Sequence, residues 1–135
     1  GASGNGQAAK IANNMLLGVS MIATSEAFNL ARKLGLDAQT FFDISSKASG
    51  QCWSMTAYCP EPGPVPAAPS NRDYAARFAV AMMLKDLRLA QEAAKSADAA
   101  TPFGGAAEAF YTALDNDGHG GLDFSAAMKR IKGEI

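Results

Sequence analysis

The chain has 135 residues, a formal net charge of −1 and 48% hydrophobic residues, the profile of one ordinary globular domain with enough length for a real core. It holds 28 Ala against 3 Val and 5 Ile. Because strands favour β-branched residues and Ala favours helix, this composition predicts an all-α domain and excludes a nucleotide-binding parallel sheet, whose buried strands read as Val/Ile runs. Twelve basic residues scattered along the chain make no footprint for nucleic acid and no polybasic membrane patch. The most apolar stretch, Met15 to Ala23, is interrupted by Gly18 and Ser20 and is far short of the roughly 20 residues a membrane span needs. Cys52 and Cys59 have neither redox nor zinc spacing, so free thiols in a reducing compartment are expected, with no metal site. No signal-peptide pattern follows Gly1, and the start at Gly1-Ala2-Ser3-Gly4 reads as a cut inside a longer protein.

In chain order, residues Gln7 to about Leu34 lack Pro and are apolar nearly all round between Met15 and Ala23, which predicts a long first helix covered on more than one side. Gly35 is placed to end it, and Asp37 to cap a second helix through about Ala48 with Phe41 and Ile44 inward. Five of the six prolines fall between Pro60 and Pro69, predicting an extended, semi-rigid loop. Asp73 is read as the cap of a third helix running to about Ala97, with Phe78 and Lys85 on one face. Thr101-Pro102 opens a fourth, with Phe103, Phe110 and Leu114 buried. After a polar turn from Asp115 to Gly121, Asp123 caps a short last helix carrying Phe124, Met128 and Ile131 inward.

Lys10 and Asn14 are four residues apart and so share a helix face just after the glycines Gly4 and Gly6, where the missing Cβ lets a ligand or another backbone come close. Desolvation lowers a lysine's pKa and suits it to general acid–base work. Spacing alone leaves that reading open beside a lysine that reaches to water and an asparagine that caps or faces solvent. Similarly, Phe78, Lys85 and Asp86 can be a ligand wall or a core Phe beside an exposed pair, and Trp53 a packing anchor or a lid. Asp115 to Ala126 imitates a calcium loop at its first, third, sixth, eighth and ninth positions, but Ala126 stands where the bidentate carboxylate belongs. It is read as a helix-connecting turn.

Gly4-x-Gly6-Gln7-x-x-Lys10-x-x-Asn13-Asn14 resembles the catalytic segment of the β-hydroxyacid dehydrogenase family. The resemblance continues through Ser49-Gly50-Gln51-Cys52-Trp53, Pro60-Glu61-Pro62-Gly63, Arg72-Asp73-Tyr74 and Lys85-Asp86-Leu87-Arg88-Leu89-Ala90, fading after about Asn116. It implies the α-helical C-terminal domain of a 6-phosphogluconate-dehydrogenase-like enzyme, built around a long first helix, whose N-terminal dinucleotide-binding domain lies outside this chain. It further implies Lys10 as the catalytic general acid and base, Asn14, Gly6, Trp53, Phe78 and Asp86 on the substrate side, and Lys85 on the NAD side. The implied reaction oxidises 3-hydroxyisobutyrate to methylmalonate semialdehyde, with glyoxylate, succinic semialdehyde or tartronate semialdehyde reduction as the alternative. The implied assembly is a homodimer or homotetramer, in the cytoplasm of a bacterium or the mitochondrial matrix of a eukaryote. A non-catalytic oligomerisation module is the alternative from another class. The chain alone is expected to be inactive.

Overall fold

The computed structural model describes residues 2–135, with side chains from Gly4 onward. Six α-helices are found among the described residues: α1 (Ala2–Lys33), α2 (Ala38–Ser45), α3 (Trp53–Thr56), α4 (Val80–Ser96), α5 (Pro102–Leu114) and α6 (Ala127–Ile131). Among the described residues there are no strands, only two isolated antiparallel bridges, Ala75 to Leu122 and Ala79 to Asp123. No helix among the described residues is long and apolar enough to cross a membrane.

α1 starts five residues before the predicted Gln7, so Gly4 and Gly6 are helical rather than part of an irregular approach. It ends as expected: Gly35 takes φ 93°, which an L side chain resists, and Leu36 N–H reaches back to Ala31 O at 2.9 Å. Asp37 caps α2, accepting from Thr40 N–H at 2.9 Å, and this bond and the Thr40 hydroxyl hold its carboxyl below the usual range. α2 stops at Ser45, not Ala48, because Lys47 and Ala48 N–H bond three residues back and tighten the chain into turns. Phe41 packs edge-on against Phe28 at 4.8 Å, but Ile44 is 59% exposed, since α2 lies at the rim and buries no residue fully.

The proline segment is not extended as expected: it runs through successive bends from Pro60 to Val65 and a turn closed by Ala68 N–H to Val65 O at 3.0 Å, and it is firmly pinned. Ser70 donates to Cys59 O at 2.8 Å, Tyr74 to Pro60 O at 2.7 Å, and Asn71 bridges Gly63 N–H and Val65 O. Lys132 adds an ion pair with Glu61 at 2.7 Å, both largely shielded. Beyond the turn Pro69–Arg72, Asp73 and Tyr74 adopt φ of 51° and 59°, a conformation that cannot cap a helix. Consequently α4 begins at Val80 and Asp73 is not its cap. Phe78 therefore precedes the helix that carries Lys85, and the predicted shared face does not exist.

The core lies where α4 packs across α1 and α5, with Met21, Met83, Leu84, Leu87, Tyr111, Leu114 and Phe124 buried. A second cluster joins Phe28, Met55, Cys59, Tyr74 and Met128 under the proline segment. Gly18 lets α1 pack tightly on α4: a Cβ there would stand 3.1 Å from Leu87 and from Met83. On α1, Met21 is fully buried, whereas Leu16 is 61% exposed, so one flank of the predicted all-round apolar stretch lies open. Phe103 is likewise 75% exposed rather than buried, because it sits in the first turn of α5 on the side away from α4. Further along α5, Tyr111 is the fully buried aromatic residue, donating to Phe124 O at 2.9 Å.

Candidate active site

The first four turns of α1 present Gln7, Lys10, Ile11 and Asn14 along one face, the spacing that stacks side chains three and four residues apart. Facing them on α4 are Asp86 and Leu89, and the six residues enclose a cleft of about 220 Å³. Asn14 Nδ2 donates to Asp86 Oδ2 at 2.8 Å across the two helices. That bond fixes which way the carboxamide points and leaves its Oδ1 aimed away from the carboxylate, touched only by a long 3.4 Å contact from Asn13 Nδ2. The Lys10 ammonium is exposed and forms no ion pair among the described residues. The desolvation expected for it is therefore not supplied by this chain.

Trp53 stands over a second, larger cleft of about 440 Å³ with Asn13, Leu16, Leu17, Ser20, Cys52 and Ser54. The two clefts lie on neighbouring faces of α1, since Asn14 lines one and Asn13, the next residue round the helix, the other. The Trp53 ring is 53% exposed and stacks on Tyr58 at 5.1 Å with 21° between planes. Lys10, Asn14 and Asp86 are thus brought together and Trp53 lies next door. Gly6 is exposed on α1, with nothing within 4 Å of the place a Cβ would take. Lys85 is exposed on α4, one residue round the helix from Asp86 and outside the cleft lining. Phe78 is half-buried, edge-on to Phe124 at 5.4 Å, and also lies outside it.

Burial pushes the Cys59 thiol up to about 12, so it stays protonated and unreactive near neutral pH. Cys52 Sγ lies 3.3 Å from Thr24 Oγ1. The stretch that imitates a calcium loop is committed elsewhere. Asp117 pairs with Arg130 at 2.7 Å, and Asp123, at the ninth position, is fully buried with both oxygens engaged by N–H and O–H donors. Sequence reasoning missed Gln7, Ile11 and Leu89 as cleft residues, although the first two share the helical register of Lys10 and Asn14.

Fold and cleft together define an all-α domain in which one long helix carries a lysine and an asparagine against a carboxylate of a second. A family model described as NAD-binding of NADP-dependent 3-hydroxyisobutyrate dehydrogenase matches residues 4–131, and the chain belongs to that family. It is 48% identical over 132 residues to a probable 3-hydroxyisobutyrate dehydrogenase of Mycobacterium tuberculosis, covering 98% of this chain and 45% of that protein. To the mitochondrial 3-hydroxyisobutyrate dehydrogenase of Drosophila melanogaster it is 46% identical over 134 residues, 99% of this chain and 41% of that one. The solved structure of Mycobacterium tuberculosis 3-hydroxyisobutyrate dehydrogenase with L-serine superposes with a TM-score of 0.91 at 47% identity, over 94% of this chain and 43% of that one. The chain thus spans less than half the length of the curated relatives it matches.

Proposed function

We propose that the protein to which this chain belongs oxidises 3-hydroxyisobutyrate to methylmalonate semialdehyde with NAD, and that these residues supply the substrate side of the site. The observation that carries the reading is the Asn14–Asp86 bond of 2.8 Å beside Lys10 in one cleft, on a chain of this family. The mycobacterial relative's ligand, L-serine, is itself a 3-hydroxy acid with a substituent at C2, the same pattern of groups as 3-hydroxyisobutyrate.

In this reading Lys10 Nζ, as the neutral amine, takes the hydroxyl proton while the C3–H pair leaves and the carbonyl forms, and returns the proton in the reverse direction. Asn14 Oδ1, held by the Asp86 contact, accepts from the substrate hydroxyl or from Lys10 and so fixes their relative position. Trp53 walls the neighbouring cleft where the substrate's methyl group would lie. NAD, when bound, accepts the hydride. Of this chain's groups, the exposed Lys85 ammonium has the chemistry to hold a ribose or phosphate oxygen of it. The remainder of the cofactor site, and the cover that desolvates Lys10, belong in this proposal to an N-terminal dinucleotide-binding domain.

Two measurements test the reading together. Specificity constants of the intact protein should favour 3-hydroxyisobutyrate over glyoxylate and over succinic and tartronate semialdehydes, while the 135-residue chain alone should show no turnover and negligible NAD affinity. Turnover by the isolated chain, or a preference for one of the other substrates, would overturn it.

A homodimeric or homotetrameric assembly is proposed on separate grounds. Val19, Ile22, Phe103 and Phe110 line an apolar groove between α1 and α5, and Phe103 stands 75% exposed above it. Light scattering on the intact protein should give a dimer or larger, and Phe103→Asp should shift it toward monomer; an unchanged mass would remove this face from the assembly. The Drosophila relative's name places it in mitochondria, so the matrix is the proposed location in a eukaryote and the cytoplasm in a bacterium.

A further inference from the structure

Asp123 is fully buried, and a carboxylate in that position is expensive unless its oxygens are filled. Its two oxygens have different tasks. Oδ2 accepts from Ser125 N–H at 3.0 Å and from the Ser125 hydroxyl at 2.6 Å, which completes the local cap of the turn leading to α6. Capping needs nothing more. Oδ1 accepts three further bonds, all from distant parts of the chain: the Tyr58 hydroxyl at 2.6 Å, Arg77 N–H at 3.0 Å and Phe78 N–H at 3.1 Å.

These three donors belong to the two segments that frame the proposed substrate site. Tyr58 carries Trp53 on its ring face at 5.1 Å and rests on Phe124 at 5.3 Å. Phe78 meets the same Phe124 edge-on at 5.4 Å, so four aromatic rings run Trp53, Tyr58, Phe124, Phe78 beneath one carboxylate. Residues 77 and 78 immediately precede α4, the helix whose Asp86 holds Asn14. Burial and the adjacent carboxylate keep the Tyr58 phenol protonated far above the ordinary range, so it stays a donor at every working pH.

We propose that Asp123 is a positioning residue that sets two walls of the substrate site against each other, the Trp53–Tyr58 stack through the Tyr58 hydroxyl and the start of α4 through the N–H groups of Arg77 and Phe78. The inference rests on the substrate reading given above, yet its structural arm can be measured without any substrate.

The intact protein carrying Tyr58→Phe loses one arm and keeps the ring. Trp53 fluorescence, isolated by difference from Trp53→Phe, should become about twofold more accessible to acrylamide, and KM for 3-hydroxyisobutyrate should rise about fivefold with kcat within about twofold. Asp123→Asn should do the same and also speed amide exchange at residues 77 and 78 by about tenfold while the interior of α4 stays protected. Unchanged Trp53 accessibility in Tyr58→Phe overturns the proposal. So does Asp123→Asn exchange that rises equally along α4, the mark of a merely structural role. Should Asp123→Asn fail to fold, the Tyr58→Phe fluorescence decides alone. Absence of turnover on 3-hydroxyisobutyrate in the unaltered protein refutes the substrate reading, and the quenching and exchange measurements still decide for or against Asp123.

Discussion

Replacing Lys10 by Ala in the intact protein should lower kcat by about 10²- to 10⁴-fold, the usual worth of a positioned acid–base group, while the dissociation constant for NAD stays unchanged. The second half of that expectation is as informative as the first. Lys10 lies on α1 in the cleft with Asn14 and Asp86, whose lining does not include Lys85, the group proposed for the cofactor, so removing it should touch proton transfer and not dinucleotide affinity. Lys10→Arg should be nearly as inactive as Lys10→Ala, because a guanidinium does not deprotonate near neutral pH and cannot accept the hydroxyl proton. Added methylamine should restore part of the turnover in Lys10→Ala, since the side chain borders a cleft of about 220 Å³ that admits a small amine. Steady-state rates with and without the amine, together with a fluorescence titration of NAD, measure all three. Near-normal turnover in Lys10→Ala would remove this lysine from the chemistry.

Legibility in the sequence followed the range of the interactions. Features decided within one helical turn were readable: the all-α composition, Gly35 ending α1, the Asp37 cap, Pro102 at the start of α5 and the Lys10–Asn14 register. Where a remote side chain replaced a local signal, the reading failed. Asp73 looks like the cap of α4, yet the N–H groups just ahead of that helix are satisfied by Asp123, 45 and 46 residues further on. Periodicity has no means of seeing that bond, and the misplacement of Phe78 on the helix follows from it. Apolar residues failed for a different reason. Ile44, Leu16 and Phe103 have the right spacing for burial, but whether a neighbour covers them depends on where α2 and α5 end and on partners outside the helix pair. At the site, the family resemblance supplied Lys10, Asn14 and Asp86. The hydrogen bond joining the last two is a fact of tertiary packing that no spacing encodes.

That packing depends on how closely α1 and α4 approach, and a double-mutant cycle at Gly18 and Leu87 should report it with a change of sign. A methyl group at position 18 would meet Leu87 Cδ2 and Met83 Sδ at 3.1 Å, both side chains being fully buried with little room to retreat. Two effects oppose each other in Gly18→Ala: helix propensity favours Ala by about 1 kcal/mol, and overpacking a tight core costs about 1–3 kcal/mol. With Leu87 and Met83 held on both sides of the contact, overpacking wins and Gly18→Ala alone should destabilise by about 1 kcal/mol. Leu87→Ala alone should cost about 3 kcal/mol, since it removes a fully buried side chain and leaves a cavity against Gly18. In the Leu87→Ala background the clashing Cδ atoms are gone and the space they leave lets Met83 Sδ draw back from its 3.1 Å contact, so the new methyl group partly refills the cavity and Gly18→Ala should stabilise by about 1 kcal/mol. The coupling, about 2 kcal/mol, lies within the range for residues in direct contact and well above the few tenths expected of independent sites. Urea unfolding of the four proteins with a common m-value measures it. Additive effects would mean that the helices separate freely at Gly18, and the Asn14–Asp86 bond one turn away would then need some other constraint to keep its length.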